Sequence, residues 1–61
     1  AMKHYTVTYE TDFGVEQVNL SLGDTANLRH VARTMAGLYP DSVGSDAYCE
    51  DEDGNEYPLD W

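Results

Sequence analysis

The hydrophobic period of this chain changes at Gly23 from two to about 3.6, and that change makes a hairpin followed by a helix. From His4 to Glu10, Tyr5, Val7 and Tyr9 alternate with His4, Thr6, Thr8 and Glu10, the pattern of a strand with one buried face. Val18, Leu20 and Leu22 repeat the alternation against Gln17, Asn19 and Ser21, which makes Val15 to Leu22 the return strand. Between the two, Thr11-Asp12-Phe13-Gly14 has turn chemistry: Gly14 accepts a positive φ, and the Asp12 carboxylate suits the backbone that follows it. Beyond Gly23, Leu28, Val31, Ala32, Met35 and Tyr39 share one helical stripe. The spacing predicts a helix over 24–36, capped by Asp24 or Thr25 and ended by Gly37 and Pro40.

The segment Pro40 to Asp46 reads as a connection, and Asp53-Gly54 marks a second tight hairpin. Its strands are expected at 47–52 and 55–61, with Tyr57, Leu59 and Trp61 alternating and Pro58 confining the last strand to a sheet edge. The predicted fold is α+β, in the order ββαββ: a four-stranded, mostly antiparallel sheet with one helix packed on one face. Residues 1–61 form one domain, divided into a first hairpin (1–22), a helix (24–36) and an acidic second hairpin (47–61). A chain this short buries only about 60% of the surface its unfolded form exposes. Five Tyr, one Phe and one Trp within a hydrophobic content of 41% nevertheless separate it from a disordered acidic tail.

Cys49 is the only cysteine, so an intrachain disulfide is excluded and a reduced, packed thiol is expected. No stretch approaches the ~20 apolar residues of a membrane span, and the N-terminus lacks a signal-peptide core, which points to a cytoplasmic protein without membrane contact. Ala1 ahead of Met2 reads as a cloning remnant, with Met2 the native start.

Charge is segregated. Residues 1–40 hold four acids against three bases, whereas Asp41, Asp46, Glu50, Asp51, Glu52, Asp53, Glu56 and Asp60 have no Lys or Arg among them, so the net −9 divides as −1 and −8. Three bases against twelve acids exclude direct binding to nucleic acid, whose phosphates would be repelled. Catalysis is not expected either: His4, His30 and Cys49 fall in three different elements with no catalytic spacing, both histidines read as solvent-facing, and Cys49 lies among acids that disfavour a thiolate. The tract from Asp51 to Glu56 has acids before a glycine, as a calcium loop does. Aligning Gly54 with the loop glycine puts Cys49 at the first ligand position and Asp60 where a bidentate Glu belongs. No metal and no cofactor are therefore expected.

Electrostatics favours a basic protein as partner. Strand residues two apart lie about 6.7 Å from one another, close to two axial steps of about 3.4 Å along a nucleic-acid strand. A carboxylate row on the second hairpin thus fits a groove built for phosphates. The expected contact residues are Glu50, Asp51, Glu52, Asp53 and Glu56, with Tyr48 and Tyr57 as aromatic anchors; bracing of the acidic end by Arg29 and Arg33 is the internal alternative for those charges.

In size, charge and architecture the whole chain resembles the small acidic proteins of bacteriophages and mobile elements that block host nucleases, polymerases or CRISPR and restriction complexes. The resemblance implies an inhibitor or regulator that docks on a nucleic-acid-binding enzyme or complex, as a DNA or RNA mimic. The competing expectation is a homo-oligomeric structural or assembly protein with no inhibitory role, a homodimer in the simplest case. Its contact would use the first hairpin or the helix, away from the acidic end.

Overall fold

In the computed structural model, which describes residues 1–61, the first hairpin is longer than its apolar alternation. Strand β1 runs Met2–Thr11 and β2 runs Gly14–Gly23, paired antiparallel from Met2↔Gly23 to Thr11↔Gly14 without a bulge. Gly14 takes φ +123 at the turn, a backbone region closed to most side chains. The helix α1 follows at Leu28–Leu38, then a single 3₁₀ turn at Pro40–Ser42, β3 at Ala47–Glu50 and β4 at Glu56–Pro58. The strands form one sheet in the order β2-β1-β3-β4, antiparallel throughout, so the α+β architecture ββαββ holds.

The helix begins at Leu28 and not at the expected residue 24, because Asn27 and not Asp24 or Thr25 caps it. The Asn27 side chain accepts from the backbone N–H groups of Arg29 and His30, while His30 Nδ1 accepts from the Asn27 N–H at 3.1 Å. This is a capping box in which histidine fills the place usually held by Glu or Gln. At the other end Gly37 stays helical, and the stop falls at Tyr39, whose N–H donates to Met35 O at 2.7 Å. Pro40 sets that stop, since a residue before proline is disfavoured in the helical region.

One face of the sheet carries the core. Tyr5, Val7, Tyr9, Leu20 and Cys49 from the strands meet Val31 and Met35 of the helix and Leu59 beyond β4. Register explains the set: Tyr5↔Leu20, Val7↔Val18, Val7↔Cys49 and Cys49↔Tyr57 are cross-strand partners and so share a face. Leu28, part of the apolar stripe, sits at the periphery and stays 36% exposed. Trp61 folds back over the core edge, its indole N–H donating to Ser45 O at 2.8 Å. No helix is long and apolar enough to cross a membrane.

The second hairpin is shorter than expected, with strands at 47–50 and 56–58 in place of 47–52 and 55–61. Asp51 is the cause. Its Oδ1 accepts from the N–H groups of Asp53 and Asn55, both at 3.0 Å, and its own N–H donates to Asn55 O at 3.0 Å. A side chain that binds the backbone ahead of it competes with the ladder and ends the strand. Gly54, at φ +85, supplies the left-handed residue this loop needs. Past Pro58 one more ladder bond forms, from Leu59 N–H to Ala47 O, before the chain leaves the sheet.

Candidate acidic face of the sheet

The face turned away from the helix is built from the alternate residues of every strand. From β1 come His4, Thr6, Thr8 and Glu10, from β2 Val15, Gln17, Asn19 and Ser21, and from the second hairpin Tyr48, Glu50, Glu56 and Pro58. Its centre is polar and satisfied: Thr6 Oγ1 donates to Asn19 Oδ1 at 3.1 Å, and Gln17 Nε2 to Thr8 Oγ1 at 3.3 Å. At one end Glu50 stands directly opposite Glu56, both exposed, which places two carboxylate-bearing side chains about 5 Å apart at their Cβ atoms. At the other end Tyr48, 42% exposed, lies between Thr8 and Pro58 beside a groove of about 520 Å³ that also reaches Val15 and Glu10.

The expected row of carboxylates along one strand does not form, because β3 stops at Glu50. A cross-strand pair, Glu50 with Glu56, replaces it. Of the other expected contact residues, Asp53 is exposed on the loop. Glu52 reaches back to the first hairpin, where its Oε1 accepts from the His4 N–H at 2.9 Å and lies 3.9 Å from His4 Nε2. Tyr57 points to the core side, and its hydroxyl donates to Asp51 Oδ2 at 3.1 Å.

Asp51 and Tyr57 thus form the frame of the acidic loop. Burial pushes the Asp51 carboxyl up, but hydrogen bonds from Asn55, Tyr57 and Asp53 outweigh it and hold the group below the ordinary carboxylate value. The same bond pushes the Tyr57 phenol up, with burial and the Asp51 charge adding to it. Cys49 is fully buried, and burial followed by the charge of Asp51 raises its thiol, so it packs as a neutral apolar residue. No group of three or more His, Cys, Asp or Glu is arranged to hold a metal ion.

A second acidic region was not legible in the sequence. The Glu10 N–H donates to Asp46 O at 3.2 Å and joins the end of β1 to the start of β3. That junction brings Glu10, Asp12, Asp41 and Asp46 around a groove of about 490 Å³ beside Phe13, which is 98% exposed at the hairpin tip. The clue in the sequence is an aromatic residue in the middle of a turn.

Cations do little to offset these acids. The one ion pair between permanently charged groups is Ala1 N-terminus with Asp24 at 3.2 Å; His4 Nε2 lies 3.9 Å from Glu52, Arg29 and Arg33 pair with no carboxylate, and Lys3 Nζ donates to Ala26 O. The arginines therefore do not brace the acidic end. Raising salt from low to moderate concentration is expected to raise the melting temperature, since screening at 0.15 M shortens the Debye length to about 8 Å and relieves repulsion among these groups. Thermal melts followed by circular dichroism check this, and a salt-independent melting temperature would remove repulsion from the account.

No protein-family model, curated protein or solved structure matches this chain.

Proposed function

We propose that the protein is a non-enzymatic inhibitor or regulator that docks its open sheet face on a basic, nucleic-acid-binding protein, presenting carboxylates where that protein expects phosphates. The observation that carries this reading is the Glu50/Glu56 pair: two like charges held side by side in a defined register, neither of them in a salt bridge. Like charges directly opposite one another destabilise a sheet. An arrangement that costs the free protein stability and exposes both groups suits a surface whose counter-charges come from elsewhere. Tyr48 on the same face supplies an aromatic anchor, because exposed charge pairs mainly steer encounter and a packed ring holds the complex.

Capture on the immobilised protein from a lysate of the source cells, elution with salt and mass identification test the reading. The expected eluate is a basic nucleic-acid-binding protein that duplex DNA or RNA displaces. Glu50→Lys/Glu56→Lys is expected to weaken capture by roughly tenfold or more, since close interfacial charge pairs couple by about 1.5 kcal/mol upward. Asp24→Lys, outside this face, serves as the control. Undiminished capture by the double variant would move the contact elsewhere.

A further inference from the structure

The two edges of the sheet are unequal. At one edge β4 has three residues and ends in Pro58; at the other β2 runs ten residues, Gly14–Gly23, without proline, lysine, arginine or a bulge. Short length, proline, charged side chains and bulges are the devices that keep an edge from pairing, and of these β2 has only the single Glu16 carboxylate, opposite Tyr9.

Hydrogen bonding shows which backbone groups are free. The N–H groups of Glu10 and His4 point to the β3 side, to Asp46 O and Glu52 Oε1, so the odd-numbered residues of β1 face β2. Through the register Tyr5↔Leu20, the even-numbered residues of β2 answer them. Val15, Gln17, Asn19 and Ser21 therefore direct N–H and C=O outward, and none of these groups has a partner among the turn, loop and side-chain bonds.

We propose that the protein self-associates through this edge, with β2 of two copies pairing antiparallel about a two-fold axis into one continuous sheet. Self-complementarity commits the edge to a second copy, since two β2 strands related by a two-fold axis bring outward backbone groups against outward backbone groups, and low local charge permits the approach. Glu16 is the only ionised side chain on β2, and it is the Gly14–Gly23 strand, not the carboxylate-rich loop, that a like-charged copy can approach. From β2 to β4 there are three strand steps of about 4.8 Å, or roughly 14 Å, beyond the Debye length of about 8 Å at 0.15 M. A registry centred on Val18 or Asn19 pairs nearly the whole strand, matches outward groups to outward groups, and keeps Glu16 away from its own copy. Val18 and Leu22, only partly buried at the rim of the core, then gain apolar neighbours. The open faces of both copies stay accessible, so this inference does not depend on the docking reading.

Sedimentation equilibrium tests it on the whole chain, wild type against a synthetic chain N-methylated at the Asn19 amide. That amide faces away from β1, so its methylation blocks the edge and spares the hairpin. A wild-type dimer that persists in salt, with self-association of the methylated chain weakened roughly tenfold or more at an unchanged circular dichroism spectrum, is the expected result. A wild-type monomer at about 1 mM, or a dimer untouched by the methyl group, overturns the proposal. Hydrogen exchange on the wild type gives a readout that needs no variant. The amides of Val15, Gln17, Asn19 and Ser21 should become protected only at high protein concentration, and rapid exchange at every concentration overturns the proposal equally. Glu50→Lys/Glu56→Lys, the docking variant, is expected to dimerise like the wild type.

Discussion

Met35→Ala is expected to leave the protein largely unfolded at physiological temperature. Met35 is the largest fully buried side chain, at 0% exposure, and with Val31 one turn earlier it forms the helix's main contact with the sheet. Truncating such a residue costs about 2–5 kcal/mol, for the lost transfer energy and the cavity together. A single core in a chain below about 70 residues rarely supplies more than about 3–5 kcal/mol. Only 10 of the 61 residues are buried, so no other cluster compensates. Thermal and urea melts followed by circular dichroism check the result. Leu38→Ala, on the same helix but 64% exposed, should stay within about 0.5 kcal/mol of wild type. A cooperative transition in Met35→Ala at wild-type denaturant concentration would show that the helix is not what closes the core.

The elements that were legible in the sequence are those whose signal is local. Alternation at Tyr5, Val7 and Tyr9 and the stripe at Val31 and Met35 are properties of a strand and a helix considered alone, and each buries the face its period defines. The ends of the elements depend on competition between side chains and backbone. Asp24, Thr25 and Asn27 are all good caps, and only the partner three residues on, His30, selects Asn27. Among the four adjacent acids Glu50 to Asp53, nothing local distinguishes Asp51 as the one folded inward; its role follows from Asn55 and Tyr57 arriving across the loop. Tyr57 shares the apolar alternation with Leu59, so its hydroxyl contact with Asp51 adds a polar function to a residue already placed in the core. The convergence of Glu10 and Asp12 with Asp41 and Asp46 is further from local reach, because it requires β1 and β3 to be neighbours. The charge map of the surface is thus set by strand order, and the sequence reveals only its total and its segregation.

Protonation of the acidic loop offers a direct reading of the Asp51 frame. Asp51 has a lower pKa in the folded protein than the 3.8 of a free aspartate, the pull of its hydrogen bonds exceeding the effect of burial. A carboxyl shifted this way adds stability at every pH above its unfolded value and loses it as the pH falls through the folded one. Wild-type stability should therefore fall in acid once Asp51 takes a proton, below the 3.8 of a free aspartate. Asp51→Asn isolates this effect, since its amide nitrogen meets donors where a carboxylate oxygen accepted two bonds, from Asn55 Nδ2 and the Tyr57 hydroxyl. The variant is expected to be clearly less stable than wild type at pH 7 and to converge with it in acid, as read from urea midpoints across pH. Tyr57→Phe, which removes one of the bonds to Asp51 Oδ2, should show a smaller gap that closes over the same range. Parallel curves for wild type and Asp51→Asn from pH 7 down to about pH 3 would mean that the loop is held by its backbone and Gly54 alone, without the carboxylate.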